Sequence, residues 1–89
     1  DDDWDRFAIH FDHVHSNFLT ILRGKFPTLT ANELKLCAFV KMNLSSKEIA
    51  DLMSISLKAV EVGRYRLRKK LQISTEVNLH DFLIEITIS

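Results

Sequence analysis

The 89 residues include only one cysteine, one proline and two glycines. A lone Cys37 excludes an internal disulfide and suits a reducing compartment. With so few breakers and no long strand-like alternation, helices should dominate, and the expected fold class is all-α. No apolar run approaches the roughly 20 residues of a membrane helix, and no signal-peptide pattern is visible, so the expected setting is cytoplasmic without membrane contact. There is no glycine-rich phosphate loop and no nucleophile, base and orienting-acid set, which points away from an enzyme and from any cofactor. His10, His13 and His15 lie close together, but no cysteine accompanies them and Asp12 does not complete their face, so no metal is expected. Cys37 sits in the apolar run Leu36-Cys37-Ala38-Phe39-Val40 and reads as a small buried side chain rather than a nucleophile. Net charge is lacking too: 12 Lys and Arg face 12 Asp and Glu. On bulk charge, nucleic acid is not the first partner to consider.

What is present is a globular composition, 46% hydrophobic and 27% charged. A chain this short buries only roughly 60–65% of its unfolded surface and forms one small unit. Its charge is segregated. Residues 1–13 carry Asp1, Asp2, Asp3, Asp5 and Asp12 against Arg6, a balance of −4. Residues 57–71 carry Lys58, Arg64, Arg66, Arg68, Lys69 and Lys70 against Glu61, a balance of +5. A neutral sum therefore hides a cationic surface.

Trp4, Phe7, Phe11, Val14, Phe18 and Ile21 recur at spacings of 3-4-3-4-3. That stripe fits one long amphipathic helix, or a pair bent at Ser16-Asn17. Such large apolar side chains cannot stay exposed: they pack back on the rest of the chain, the favoured reading, or pair with a second subunit as a coiled coil. Gly24 is a candidate helix C-cap before Pro27. Thr30 with Glu33 and Ser45 with Glu48 form capping boxes, Ser56 opens a further helix, and Asn78 with Asp81 heads the last one. The trailing Thr87-Ile88-Ser89 should fray. The expected division is an amphipathic extension over 1–28 and a second region over 29–89.

Two of these helices, joined by Ser54-Ile55-Ser56, have the form of a helix-turn-helix. On a helical wheel of 57–71, Val60, Leu67, Leu71 and Leu57 take the core side. Lys58, Val62, Tyr65, Arg66 and Lys69 take the other side, with Glu61 at its margin. Cations that reach guanine acceptors or phosphates, beside an apolar Val62 suited to a thymine methyl, fit a major groove better than a merely solvated face.

The stretch LTANELKLCAFVKMNLSSKEIADLMSISLKAVEVGRYRLRKKLQIS, from Leu29 to Ser74, resembles the LuxR/GerE-type DNA-binding domain of bacterial transcription regulators. The matching pieces are Leu29-Thr30 with Glu33, Ser46-Lys47-Glu48-Ile49-Ala50, Ile55-Ser56, Val60, and Arg64 followed by Leu67-Arg68-Lys69-Lys70-Leu71. Together with the Trp4…Phe7…Phe11…Val14-His15 segment, they resemble a subgroup found at the C-terminal end of larger sensor regulators. The resemblance implies a four-helix core whose third helix enters the major groove of double-stranded DNA. It places Lys58, Glu61, Val62 and Tyr65 at base edges. Ser46 and Lys47 fall where phosphate contacts are expected, and Arg66 and Lys69 join them from the wheel. It also implies a homodimer whose last helix makes the contact, with Leu79, Phe82, Leu83 and Ile86 as candidates, and a sensor domain upstream in the parent chain. The family commonly has Lys where Glu61 stands and often His where Gly63 stands. Glu61 repels phosphate but accepts from a cytosine amino group. Gly63 is read as a point of close helix packing. Region 4 of a sigma factor shares much of the pattern, and the aromatic N-terminal segment and the last amphipathic helix favour the regulator. A different class of function is a helical interaction module whose basic helix docks an acidic protein surface, or is masked by the Asp1–Asp5 block.

Overall fold

A computed structural model describes residues 2–86; Asp1 and the trailing Thr87-Ile88-Ser89 lie outside the described residues. Six α-helices follow in order: α1 (Asp2–Val14), α2 (Phe18–Lys25), α3 (Ala31–Lys41), α4 (Ser46–Met53), α5 (Leu57–Leu71) and α6 (Leu79–Glu85).

The aromatic stripe is a bent pair. Ser16 and Asn17 both take the left-handed conformation, at φ 57° and 63°, and break the helix there. Asn17 makes no side-chain cap. Asp12 caps α2 from across the bend instead. Its carboxylate accepts from the amides of Leu19 at 2.7 Å and Thr20 at 3.1 Å, and from the Thr20 hydroxyl at 2.8 Å. A carboxylate on otherwise orphaned amides at a helix start is stabilising twice, by hydrogen bonds and by the helix dipole. Gly24 lies inside α2 rather than capping it; the helix runs on to Lys25, and the amide of Phe26 closes it by donating to the Leu22 carbonyl.

The remaining starts follow local chemistry. Thr30 and Ser45 head complete capping boxes with Glu33 and Glu48. Ser56 accepts from the Ala59 amide at 3.0 Å, and Asn78 from the Asp81 amide at 3.0 Å. The stops at Ser54 and Gln72 are left-handed, at φ 56° and 60°.

All six helices contribute to one apolar core. Phe11, Phe18, Leu19 and Leu22 bury alongside Leu34, Cys37, Ile49, Val60, Leu67, Leu79 and Leu83. Trp4 and Phe7 pack against the same cluster, so the N-terminal stripe folds back rather than awaiting a coiled-coil partner. Val14 breaks the pattern at 61% exposure, because the chain turns away directly after it. Cys37 is fully buried, and burial first, with Glu33 adding, pushes its thiol up to about 12. α4 packs on α5, α3 on α5, α6 and α2, and α1 on α2.

Gly63 does not mark a close approach. A Cβ built there meets only the Leu36 Cδ2, at an ordinary 3.5 Å. Since glycine inside a helix costs about 1 kcal/mol relative to alanine, Gly63→Ala should stabilise the fold by about that amount. Thermal unfolding should show it as a rise in Tm of roughly 4–8 °C, and an unchanged or lower Tm would mean that Leu36 cannot give way.

Candidate nucleic-acid interface

The site is the α4–turn–α5 unit. The Ile55 amide donates to the Ala50 carbonyl at 3.0 Å, which locks the turn between the helices. Ile49 and Ala50 on α4, with Val60, Leu67 and Leu71 on α5, hold the pair on the core. Leu57, expected on that side, is 48% exposed: it sits about 60° round the helix from the Val60–Leu67–Leu71 line and at the first turn.

Every residue expected on the outward side of α5 is exposed: Lys58, Glu61, Val62, Tyr65, Arg66 and Lys69. α1 does not cover them: its Phe7 ring meets Phe39 of α3 at 5.9 Å and its Phe11 ring meets Phe18 of α2 at 5.8 Å. The Lys69 ammonium lies 4.8 Å from the centre of the Tyr65 ring, so the two side chains present a joined cationic and aromatic surface. Arg66 is set on the α3 side, sharing a groove of about 430 Å³ with Thr30, Glu33 and Gly63. At the start of α4, Lys47 is exposed and Ser46 half-buried. The Glu48 amide there is already occupied by the Ser45 hydroxyl at 3.1 Å, while the amides of Ser46 and Lys47, in the first turn, have no intrahelical carbonyl to meet.

Not all of the basic helix faces outward. Arg68 donates from one nitrogen to the carbonyls of Ser74 at 3.1 Å and Val77 at 2.5 Å, clamping the α5–α6 loop. Lys70 reaches back to α3, bonding Glu33 Oε1 at 2.8 Å and the Thr28 carbonyl at 3.2 Å. The +5 balance thus overstates the surface charge, because two of its cations hold the helix in place. Neither role has a sequence signal beyond charge itself.

The Glu33–Lys70 pair also makes a pH dependence. Burial pushes the Glu33 carboxyl up, but the Lys70 ammonium and the Thr30 amide and hydroxyl outweigh it and hold the group below its usual 4.5. A depressed folded value means the stabilisation is complete above about pH 4.5 and is lost as pH falls through the folded value. Glu33→Gln should cost about 1–2 kcal/mol at neutral pH and flatten this acid limb in a series of melting curves from pH 7 to 2.5. An unaltered limb would place the acid sensitivity elsewhere.

Of the residues expected to meet a second copy, three are spent within this one. Leu79, Leu83 and Ile86 are buried at 1%, 0% and 8% exposure, packed into the core on α3. The apolar stripe of α6 is a core stripe. Only Phe82 stays partly accessible, beside Lys25, Phe26 and Glu85. His10 and His13 are exposed, and His15 stacks on Phe11 at 4.1 Å between ring centres. No group of three or more metal-ligating side chains forms among the described residues. No helix among them is long and apolar enough to cross a membrane.

With this helix-turn-helix geometry in place, residues 27–83 match the family model of bacterial regulatory proteins of the luxR family. The match spans well over half of the chain. The chain belongs to the luxR family. Its all-helical core and helix-turn-helix are those of a luxR-type DNA-binding domain of transcription regulation. No curated protein and no solved structure matches the chain.

Proposed function

We propose that this chain is a sequence-specific effector domain that lays α5 in the major groove and acts as a homodimer on two half-sites. The observation that carries the reading is the outward side of α5, where Val62 at 39% and Tyr65 at 54% exposure stand among Lys58, Arg66 and Lys69, with the Lys69 ammonium over the Tyr65 ring. An apolar and an aromatic side chain left bare among cations are costly unless a surface with both methyl groups and anions covers them, and a major groove is such a surface. Lys58, Glu61, Val62 and Tyr65 read base edges in this arrangement. Ser46, Lys47, Arg66 and Lys69 hold phosphates and supply most of the affinity. Residues 1–28 serve as a helical extension of the domain at 29–89, with a sensor region upstream in the parent, in the cytoplasm. On α6, Phe82 is the residue left for a second copy to meet.

The deciding experiment is duplex binding across a salt series, with random DNA and with duplexes selected from a random pool. Binding that weakens linearly in log Kd with log salt, by about 0.9 per phosphate engaged, and a selected site with two half-sites are the expected results. Absence of salt-sensitive binding near physiological ionic strength would overturn the proposal in favour of an acidic protein partner for the same helix.

A further inference from the structure

Five Lys and Arg residues among the described residues are half-buried: Lys35, Lys41, Arg64, Arg68 and Lys70. Four of them have a partner. Lys35 and Lys41 each sit 5.4 Å from an aromatic ring centre, those of Trp4 and Phe18. Arg68 bonds two loop carbonyls, and Lys70 bonds Glu33. Arg64 alone has no hydrogen bond, ion pair or ring contact among the described residues. Its one electrostatic neighbour is Arg68, a like charge one turn along the same flank. Burial, and then Arg68, push the Arg64 guanidinium down from its ordinary value, so the fold holds a cation at a place that disfavours it. A partly desolvated guanidinium with no anion is a cost to the free domain.

Its position says where the anion comes from. Residues two apart on an α-helix lie about 160° from each other around the axis, so Arg64 and Arg66 occupy opposite flanks of α5. Between them run Lys58, Val62, Tyr65 and Lys69, all exposed. A helix seated in a major groove roughly 12 Å wide has a phosphate backbone on each side. Arg66 serves one backbone, on the α3 side. We propose that Arg64 grips a phosphate of the opposite strand, so that the two arginines straddle the groove and fix the roll of α5 within it. The inference rests on the placement of α5 in the major groove. The planar fork of arginine suits two phosphate oxygens at once, and its half-buried stem loses less freedom on binding than the exposed Lys58 or Lys69. Arg68 adds its charge from behind without leaving the loop.

The test uses the 89-residue chain, a random duplex and a selected one, with Arg64→Leu and Arg64→Lys. Arg64→Leu should bind both duplexes more weakly by a similar factor, roughly 5- to 20-fold near physiological salt, with the salt slope smaller by about 0.9 per subunit. Its Tm in the absence of DNA should rise or hold, since the unpartnered charge is gone. Arg64→Lys should keep the slope. A scan that replaces single phosphates by neutral methylphosphonates should find one position whose loss weakens the wild type yet leaves Arg64→Leu indifferent, on the strand opposite the position coupled to Arg66. Should Arg64→Leu not fold, the same scan is read on Arg64→Lys, where the coupling to that position must shrink. An unchanged slope in a folded Arg64→Leu, or no coupled phosphate, overturns the inference while leaving α5 in the groove if Arg66 and Lys69 still matter. Loss of self-association in sedimentation, with DNA affinity per subunit unchanged, would assign Arg64 to a second copy instead. Failure of the wild type to bind any duplex would sink the placement of α5 itself.

Discussion

Arg66→Ala combined with Lys69→Ala is expected to weaken binding to every duplex, selected or random, by roughly 10- to 100-fold, and to reduce the salt slope by about 1.8 per subunit. Both side chains are exposed and neither is tied to a carboxylate among the described residues, so their removal subtracts charge from the outward face without opening the core. The size of the effect follows from charge-assisted bonds to phosphate at roughly 1.5–3 kcal/mol each, discounted for exposure and for the freedom each long side chain loses. Specificity should survive, because phosphates carry no base identity. Val62→Ala should do the reverse, relaxing discrimination at one position by about 1–3 kcal/mol while leaving the salt slope alone. Tyr65 needs more care. Its ring lies 4.8 Å beneath the Lys69 ammonium, so Tyr65→Ala would disturb the proposed phosphate contact of Lys69 as well as the proposed base contact of Tyr65. Tyr65→Phe keeps the ring under the cation and removes only the hydroxyl, and is the cleaner probe of base reading. A double variant with unchanged affinity and slope would show that this side of α5 does not face DNA.

The outward side of α5 is legible in the amino-acid sequence because it rests on local rules. Capping boxes at Thr30–Glu33 and Ser45–Glu48 fix two helix starts within a few residues of sequence, and Ser56 fixes a third. The helical period then sorts the side chains of α5. What stays hidden depends on distance in sequence. Asp12 caps α2 from seven and eight residues away, where the adjacent Asn17 is the more obvious candidate. Lys70 meets Glu33 across 37 residues, so a cation that counts as surface charge in the sequence is a brace in the fold. The α6 stripe is ambiguous in principle, since apolar residues at i, i+3, i+4 and i+7 suit a subunit contact and an internal core equally. Only the packing of Leu79 and Leu83 on α3 decides between them. Charge patterning is most informative where no long-range contact intervenes.

Phe18→Ala is expected to have the largest effect on stability, about 3–5 kcal/mol. The side chain is fully buried, meets Phe11 edge-on at 5.8 Å between ring centres, and lies under the Lys41 ammonium at 5.4 Å. An 89-residue domain at roughly 0.05–0.15 kcal/mol per residue has only about 5–13 kcal/mol in all. A loss of this size should lower Tm by roughly 15–30 °C. The residue lies outside the 27–83 match, in the N-terminal extension. Yet its ring sits in the same core as Ile49, Val60 and Leu67, which position α4 and α5. The variant should therefore melt in one transition and lose duplex binding at the same temperature as its helicity. If residues 1–28 were an appendage, helicity would fall in two steps and DNA binding would follow only the second. A single core argues for one step, and makes the N-terminal helices part of what holds α4 and α5 in place.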